Sequence, residues 1–175
     1  MISKNKYSTT ELTRKLQKES LTDFDCGNPA LSAFLSSSQA LDNSFGKTYV
    51  MLSGEKIIGY YNISTGHIEI SASPEAIRAG GTVYVNCLAV DKQYQKIKYT
   101  ETEYISDILL ADCIKRVLYL REYYIGFSFI SLASTAEGHY LYERNGFFDI
   151  EDDMKITKNP GELTCTPMYF PLDYE

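Results

Sequence analysis

The chain has 175 residues, a net charge of -6 and an apolar share of 44%. That length suits one domain with a sizeable core, and the negative balance excludes broad, sequence-independent nucleic-acid binding. The cysteines (Cys26, Cys87, Cys113, Cys165) form no C-x-x-C pair, so no metal site is expected. The polar start shows no signal peptide, and no apolar run reaches the ~18 residues of a membrane span. The expectation is a single cytoplasmic domain over residues 1–175, with residues 1–22 as a candidate N-terminal extension.

In chain order, Leu12, Leu16 and Leu21 predict a short amphipathic helix from Thr9 or Thr10. Phe24-Asp25-Cys26-Gly27-Asn28-Pro29 is a turn cluster. Asn28 suits an N-cap with Pro29 at the first helical position. A helix carrying Leu31, Phe34 and Leu35 follows and fades at Ser36-Ser37-Ser38. Lys47–Leu52 and Lys56–Ser64 read as strands joined by Ser53-Gly54-Glu55, the second extending through Gly66 to Ile70. Gly59 and Gly66 inside it predict bulges or close backbone approach. Residues 71–82 read as a loop ending in Gly80-Gly81.

Val83–Val90 is apolar on both faces except for Asn86, the pattern of a central, doubly covered strand. A polar loop with Lys92, Gln95, Lys96 and Lys98 comes next. A long helix then carries Ile105, Leu109, Cys113 and Val117, with Leu110, Ile114 and Leu118 as an adjacent stripe. Strand, basic loop and helix N-terminus in that order make an anion site, because amide N–H groups and the helix dipole converge there. Phe127–Ala133 reads as a strand. Glu137–Arg144 reads as a short helix capped by Thr135 and stopped at Asn145-Gly146. Phe147–Ile150 reads as a strand, Glu151-Asp152-Asp153 as a turn, and Thr164–Leu172 as a last strand weakened by Pro167. The fold class is α/β: a mixed, mostly antiparallel twisted sheet with helices on both faces.

Two segments carry a family resemblance. Leu88-Ala89-Val90-Asp91 precedes Tyr94-Gln95, and Leu141-Tyr142-Glu143-Arg144-Asn145-Gly146-Phe147 follows further on. Together they resemble the GNAT acetyltransferase superfamily over roughly residues 24–172. The Phe24–Asn28 cluster with Leu31 and Phe34-Leu35 resembles the branch that includes bacterial toxin–antitoxin acetyltransferases of aminoacyl-tRNA, alongside plain acetyltransferases. The resemblance implies acetyl-CoA as co-substrate and no metal. Leu88, Ala89, Val90, Gln95, Lys96, Ile97, Lys98, Tyr99, Thr100 and Ser134 would bind the coenzyme, and Tyr142 would protonate the leaving sulfur.

The loop departs from the family pattern Q/R-x-x-G-x-G/A. Gln95-Lys96-Ile97-Lys98-Tyr99-Thr100 has no glycine, so the backbone nest for the diphosphate loses its positive-φ positions. Either Thr100 caps the helix with Glu103 reaching back, or the loop is extended and the helix starts near Ser106. Lys92, Lys96 and Lys98 would offset lost amide contacts by pairing with phosphate. His67 and Glu69 are candidate general bases with a solvent-facing reading at least as good, and His139 reads as a surface residue.

Three functions stand side by side. The first is an acetyl-CoA-dependent N-acetyltransferase of a small-molecule or peptide amine. The second is a toxin-type acetyltransferase of aminoacyl-tRNA with an antitoxin partner. The third is a non-catalytic binding module with a degenerate cofactor loop. A homodimer is a fold-level expectation. Nucleic acid is expected only as tRNA under the second reading, and no membrane contact is expected.

Overall fold

The computed structural model describes residues 7–70, 77–156 and 165–172. Among them the order is β1 (Ser8–Glu11), α1 (Arg14–Glu19), α2 (Pro29–Ser36), a 3-10 turn (Ser38–Leu41), β2 (Lys47–Ser53), β3 (Lys56–Ile70), β4 (Ile77–Val90) and α3 (Ile105–Tyr123). Then come β5 (Phe129–Ser134), α4 (His139–Arg144), β6 (Phe148–Asp149), β7 (Met154–Ile156) and β8 (Thr166–Pro171). The strands run β1-β2-β3-β4-β5-β8-β6 across the sheet, with β7 added to β3. β4 and β5 pair in parallel, whereas β1–β2, β2–β3, β3–β7, β5–β8 and β6–β8 are antiparallel. The sheet is therefore mixed and mostly antiparallel, as the sequence predicts. Two compact units share β3, β4 and α3: residues up to Ile63 with Cys87–Cys113, and Ser64–Asn86 with the chain from Ile114 onward.

In the first unit the start differs from expectation. Ser8–Glu11 is an edge strand on β2, and the helix begins only at Arg14, with the Thr13 side chain accepting the Leu16 N–H at 3.2 Å. β-branched Thr9 and Thr10 suit a strand better than a first helical turn. Thr9 also donates to Asp112 at 2.7 Å. Asn28 caps α2 as predicted, accepting from Ala30 and Leu31 at 3.0 and 3.2 Å with Pro29 inside the first turn. Leu35 of α2 is fully buried against Leu12, Val50, Ile57, Tyr60 and Ala89. Burying such a side chain contributes about 1.5–3 kcal/mol.

Tyr60 and Tyr61 are neighbours on β3, so their side chains leave opposite faces. Tyr60 donates to Leu31 O of α2 at 2.7 Å, and Tyr61 to Asp112 of α3 at 2.6 Å. Helices therefore cover both faces of this part of the sheet. A bulge follows from the register, where Met51 faces Gly59 and Leu52 faces Ile57, leaving Ile58 extra. Gly59 is required by close approach: a Cβ there would sit 3.1 Å from Leu109 Cδ2 and 3.2 Å from Ala89 O.

In the second unit Ile68, Tyr84 and Ile156 form a small core with Phe129, Met154 and Tyr169 around it. The predicted loop over 71–82 is corrected at its end: β4 already runs from Ile77 and includes Gly80 and Gly81, while residues 71–76 lie outside the described residues. Both glycines pack against the segment entering β5. Ser128 N–H donates to Gly81 O at 2.9 Å, and a Cβ on Gly81 would meet Phe127 Cβ at 3.4 Å. Pro167 lies inside β8, where its carbonyl accepts from Ile150 just past the two-residue β6. Leu118, placed by periodicity on a packed stripe, is 43% exposed.

Candidate functional site

β4 carries half-buried Leu88 and buried Ala89 and Val90 to the loop. The parallel register with β5 joins Thr82–Val85 to Phe129–Leu132, and β4 continues past it to Val90. Asp91, 1% exposed, closes the strand. Its N–H donates to Ile58 O at 2.8 Å, and its carboxylate accepts the Gln93 N–H at 2.9 Å. Lys56 lies 3.9 Å from the same carboxylate.

The loop is tied to the Phe24–Asn28 turn. Lys92 N–H donates to Asp25 O at 2.8 Å, and Lys92 Nζ pairs with the Asp25 carboxylate. That ammonium, helped by the Gly27 N–H, holds the Asp25 carboxyl below its usual range, and the Asp25 carboxylate in turn pushes the Lys92 ammonium up. Gln95 Nε2 donates to Cys26 O at 2.8 Å and to Val90 O at 2.9 Å. Two side chains expected at a bound phosphate thus serve the protein's own backbone and Asp25.

The structure decides between the two loop readings. Ile97 O accepts the Ile105 N–H at 3.1 Å, and Lys98 bridges to Tyr104, so the chain between them leaves and returns as a closed excursion. Thr100 does cap a turn, accepting the Glu103 N–H at 3.0 Å and facing Glu103 Oε2 at 3.1 Å. That turn belongs to the excursion, because α3 starts at Ile105. Asp107, which the sequence reading missed, caps α3 by accepting the Tyr104 N–H at 2.8 Å; an acid three residues into a helix is its signal. Lys98 donates to Glu101 O at 3.1 Å and stands 5.8 Å from the Tyr104 ring. Ile97 and Tyr99 are 38% and 42% exposed. Lys96 makes no ion pair or hydrogen bond among the described residues and is the loop lysine available to an anion.

Ser134 and Tyr142 belong to the second unit. Ser134 is 1% exposed and donates to Thr135 O at 2.8 Å. Thr135 caps a turn, accepting the Gly138 N–H at 3.2 Å, and α4 follows from His139 rather than Glu137. At its other end Phe147 N–H donates to Tyr142 O and Gly146 N–H to Glu143 O, both at 3.1 Å. With Gly146 at φ +90, this is a Schellman stop. The hydrophobic contact that accompanies such a stop is made by the rings of Tyr142 and Phe147, 5.6 Å apart and steeply inclined. The spacing Tyr-x-x-x-Gly-Phe therefore has a local cause, and it holds Tyr142 at 7% exposure. His67 faces Glu69 at 3.0 Å, and His139 faces Asp149 at 2.7 Å. No group of metal-ligating side chains occurs among the described residues, and no helix among them is long and apolar enough to cross a membrane.

No family model and no curated protein matches the chain. Solved structures match nearly all of it. AtaTR bound with acetyl-CoA superposes with a TM-score of 0.73 at 20% identity, over 95% of this chain and 94% of that one. AtaT complexed with acetyl-methionyl-tRNAfMet gives 0.68 at 20% identity, over 94% of both chains. A tyrosine-to-phenylalanine variant of the AtaT toxin bound to the C-terminus of the antitoxin AtaR gives 0.69 at 18% identity, over 95% and 94%. The chain has the GNAT-like fold. At that identity the likeness is one of fold.

Proposed function

We propose that this protein is an acetyl-CoA-dependent N-acetyltransferase acting on a primary amine. The observation that carries the reading is Tyr142, buried and fixed by the Schellman stop at Gly146 in a fold shared with a protein solved with acetyl-CoA. The residues fit an acyl-coenzyme A. β4 backbone extends past its pairing with β5, Lys96 is exposed at the loop, and α3 begins directly after it.

In this reading the amine nitrogen attacks the thioester carbonyl carbon. β4 amide groups stabilise the oxyanion, an effect worth about 3–4 kcal/mol per donor. The C–S bond then breaks as the Tyr142 hydroxyl proton passes to sulfur, and the proton lost by the attacking nitrogen is relayed through water to the tyrosinate, restoring the phenol. A phenol near pKa 10 donating to a thiolate near 8.5 is uphill by roughly 2 kcal/mol, so the transfer is concerted with cleavage.

The acceptor follows from proton bookkeeping. The described histidines each face a carboxylate, and no separate base is assigned. An α-amino group, with pKa about 7.7–8.0, is largely ready to attack at neutral pH, whereas a lysine amine near 10.4 is not. The first acceptor class is thus a small-molecule or peptide α-amine. A second reading, the aminoacyl end of a charged tRNA with an antitoxin as regulator, is favoured by the neighbour AtaT, solved with acetyl-methionyl-tRNAfMet and with the antitoxin AtaR.

Incubation with labelled acetyl-CoA and a panel of free amino acids, peptides and methionyl-tRNA tests both. Transfer that is lost in Tyr142→Phe supports the enzyme, and the labelled acceptor selects the reading. Bound acetyl-CoA with no transfer to any acceptor leaves only a binding module.

A further inference from the structure

We infer that the Phe24–Asn28 turn is a brace for the coenzyme loop, with Asp25 and Gln95 as positioning residues for acetyl-CoA. The inference rests on the acetyl-CoA reading above and adds what sets the loop's affinity.

An anion nest reaches its shape by alternating ordinary and positive φ values, which glycine supplies. Here no residue from 91 to 104 has a positive φ; among the described residues the one non-glycine that does is Asp23. The loop therefore takes its shape from contacts outside itself. Five contacts run from it to the turn or to the strand end. Lys92 N–H meets Asp25 O at 2.8 Å and Lys92 Nζ meets the Asp25 carboxylate. Asp25 N–H approaches Asp91 Oδ2 at 3.4 Å. Gln95 Nε2 is shared between Cys26 O at 2.8 Å and Val90 O at 2.9 Å.

The turn is itself anchored. Asp25 Oδ1 accepts the Gly27 N–H at 2.8 Å, Cys26 N–H donates to Ser32 Oγ of α2 at 3.1 Å, and Asn28 caps that helix. Phe24 meets the buried Tyr60 ring at 5.7 Å. The brace thus transfers the rigidity of a packed helix to a loop that lacks glycine. A loop already ordered before the ligand arrives spends less binding free energy on ordering. Gln95 acts on the coenzyme through the loop, as does Asp25 through Lys92.

The test uses the full chain with Gln95→Ala and Asp25→Asn. The second keeps the Oδ1 acceptor for Gly27 and removes the charge facing Lys92. Two readouts are taken: amide hydrogen exchange of residues 92–97 in the free protein, and acetyl-CoA affinity by calorimetry. Faster exchange in both variants is expected, with affinity about tenfold weaker for Gln95→Ala, the scale of losing one to two hydrogen bonds. The KM for acetyl-CoA should rise, with kcat and the acceptor KM nearly unmoved. Faster exchange with unchanged affinity overturns the inference, as does unchanged exchange. Should Gln95→Ala fail to fold, Asp25→Asn, at two exposed partners, carries the same readouts. No acetyl-CoA binding by the unaltered protein would instead sink the acetyltransferase reading itself.

Discussion

Replacing Gly146 by alanine tests whether the helix stop, rather than general packing, fixes Tyr142. Gly146 has φ +90, and a Cβ there would lie 3.1 Å from Phe170 Cε2. Phe170 cannot swing away freely, because its ring lies 5.3 Å from that of buried Phe147. Gly54 is the natural control, with φ +61 and nothing within 4 Å of a built Cβ. Alanine at positive φ costs about 1–2 kcal/mol, and reduced freedom of the unfolded chain returns about 0.4–1 kcal/mol. Gly54→Ala should therefore lose about 1 kcal/mol. Gly146→Ala adds overpacking of about 1–3 kcal/mol, for a loss of about 3 kcal/mol. Equilibrium urea unfolding at constant m-value reads both. Gly146→Ala should also lower acetyl transfer under conditions where it stays folded, while Gly54→Ala should not. Losses within about 0.5 kcal/mol of each other would refute the clash, and full transfer in folded Gly146→Ala would refute the link to Tyr142.

Three further outcomes follow. Asn28→Ala removes the acceptor for the Ala30 and Leu31 amides and should cost about 1 kcal/mol in urea unfolding; no loss would mean the cap is not used. The Asp25–Lys92 pair should work across a wide pH window. The Asp25 carboxyl is held below its ordinary 3.8, first by the Lys92 hydrogen bond, so its contribution is present at neutral pH and fades as pH falls through that lowered value. Lys92 is pushed above its ordinary 10.5 by Asp25, so its contribution persists below that value and is lost only as pH rises beyond it. Amide shifts of Lys92 and Gly27 should stay flat from about pH 4.5 to 9.5, and a step inside that range would contradict the pairing. Burial pushes the Cys87 thiol up to about 12, and Cys113 is fully buried. Iodoacetamide at pH 8 should label neither until urea unfolds the chain, and labelling of Cys87 or Cys113 in the native protein, located by peptide mass mapping, would contradict that residue's placement.

The elements most legible in the sequence were those with dense local signals. Asn28-Pro29 predicted a cap, Ser53-Gly54-Glu55 a hairpin, and Asn145-Gly146 a stop, and each is found. The misses share a physical origin in pairing across the chain. Ser8–Glu11 is a strand because β2 offers it an edge, and Met154–Ile156 is too short to show a period before it meets β3. Gly80-Gly81 reads as a loop until Phe127 and Ser128 pack against it. Within the candidate site, the spacing of Tyr142, Gly146 and Phe147 was visible, and the Schellman stop supplies its reason. The ties from Gln95 to Cys26 and from Lys92 to Asp25 were not visible, because long-range hydrogen bonds leave no periodic trace. Lys92 and Gln95 consequently looked like phosphate ligands, while Asp25 looked like a turn residue.

The most direct test of the central claim is titration of acetyl-CoA into the purified full chain by calorimetry. Saturable binding of one coenzyme per chain at micromolar concentration is expected, with transfer to an amine that Tyr142→Phe abolishes. No heat of binding up to millimolar acetyl-CoA would contradict it.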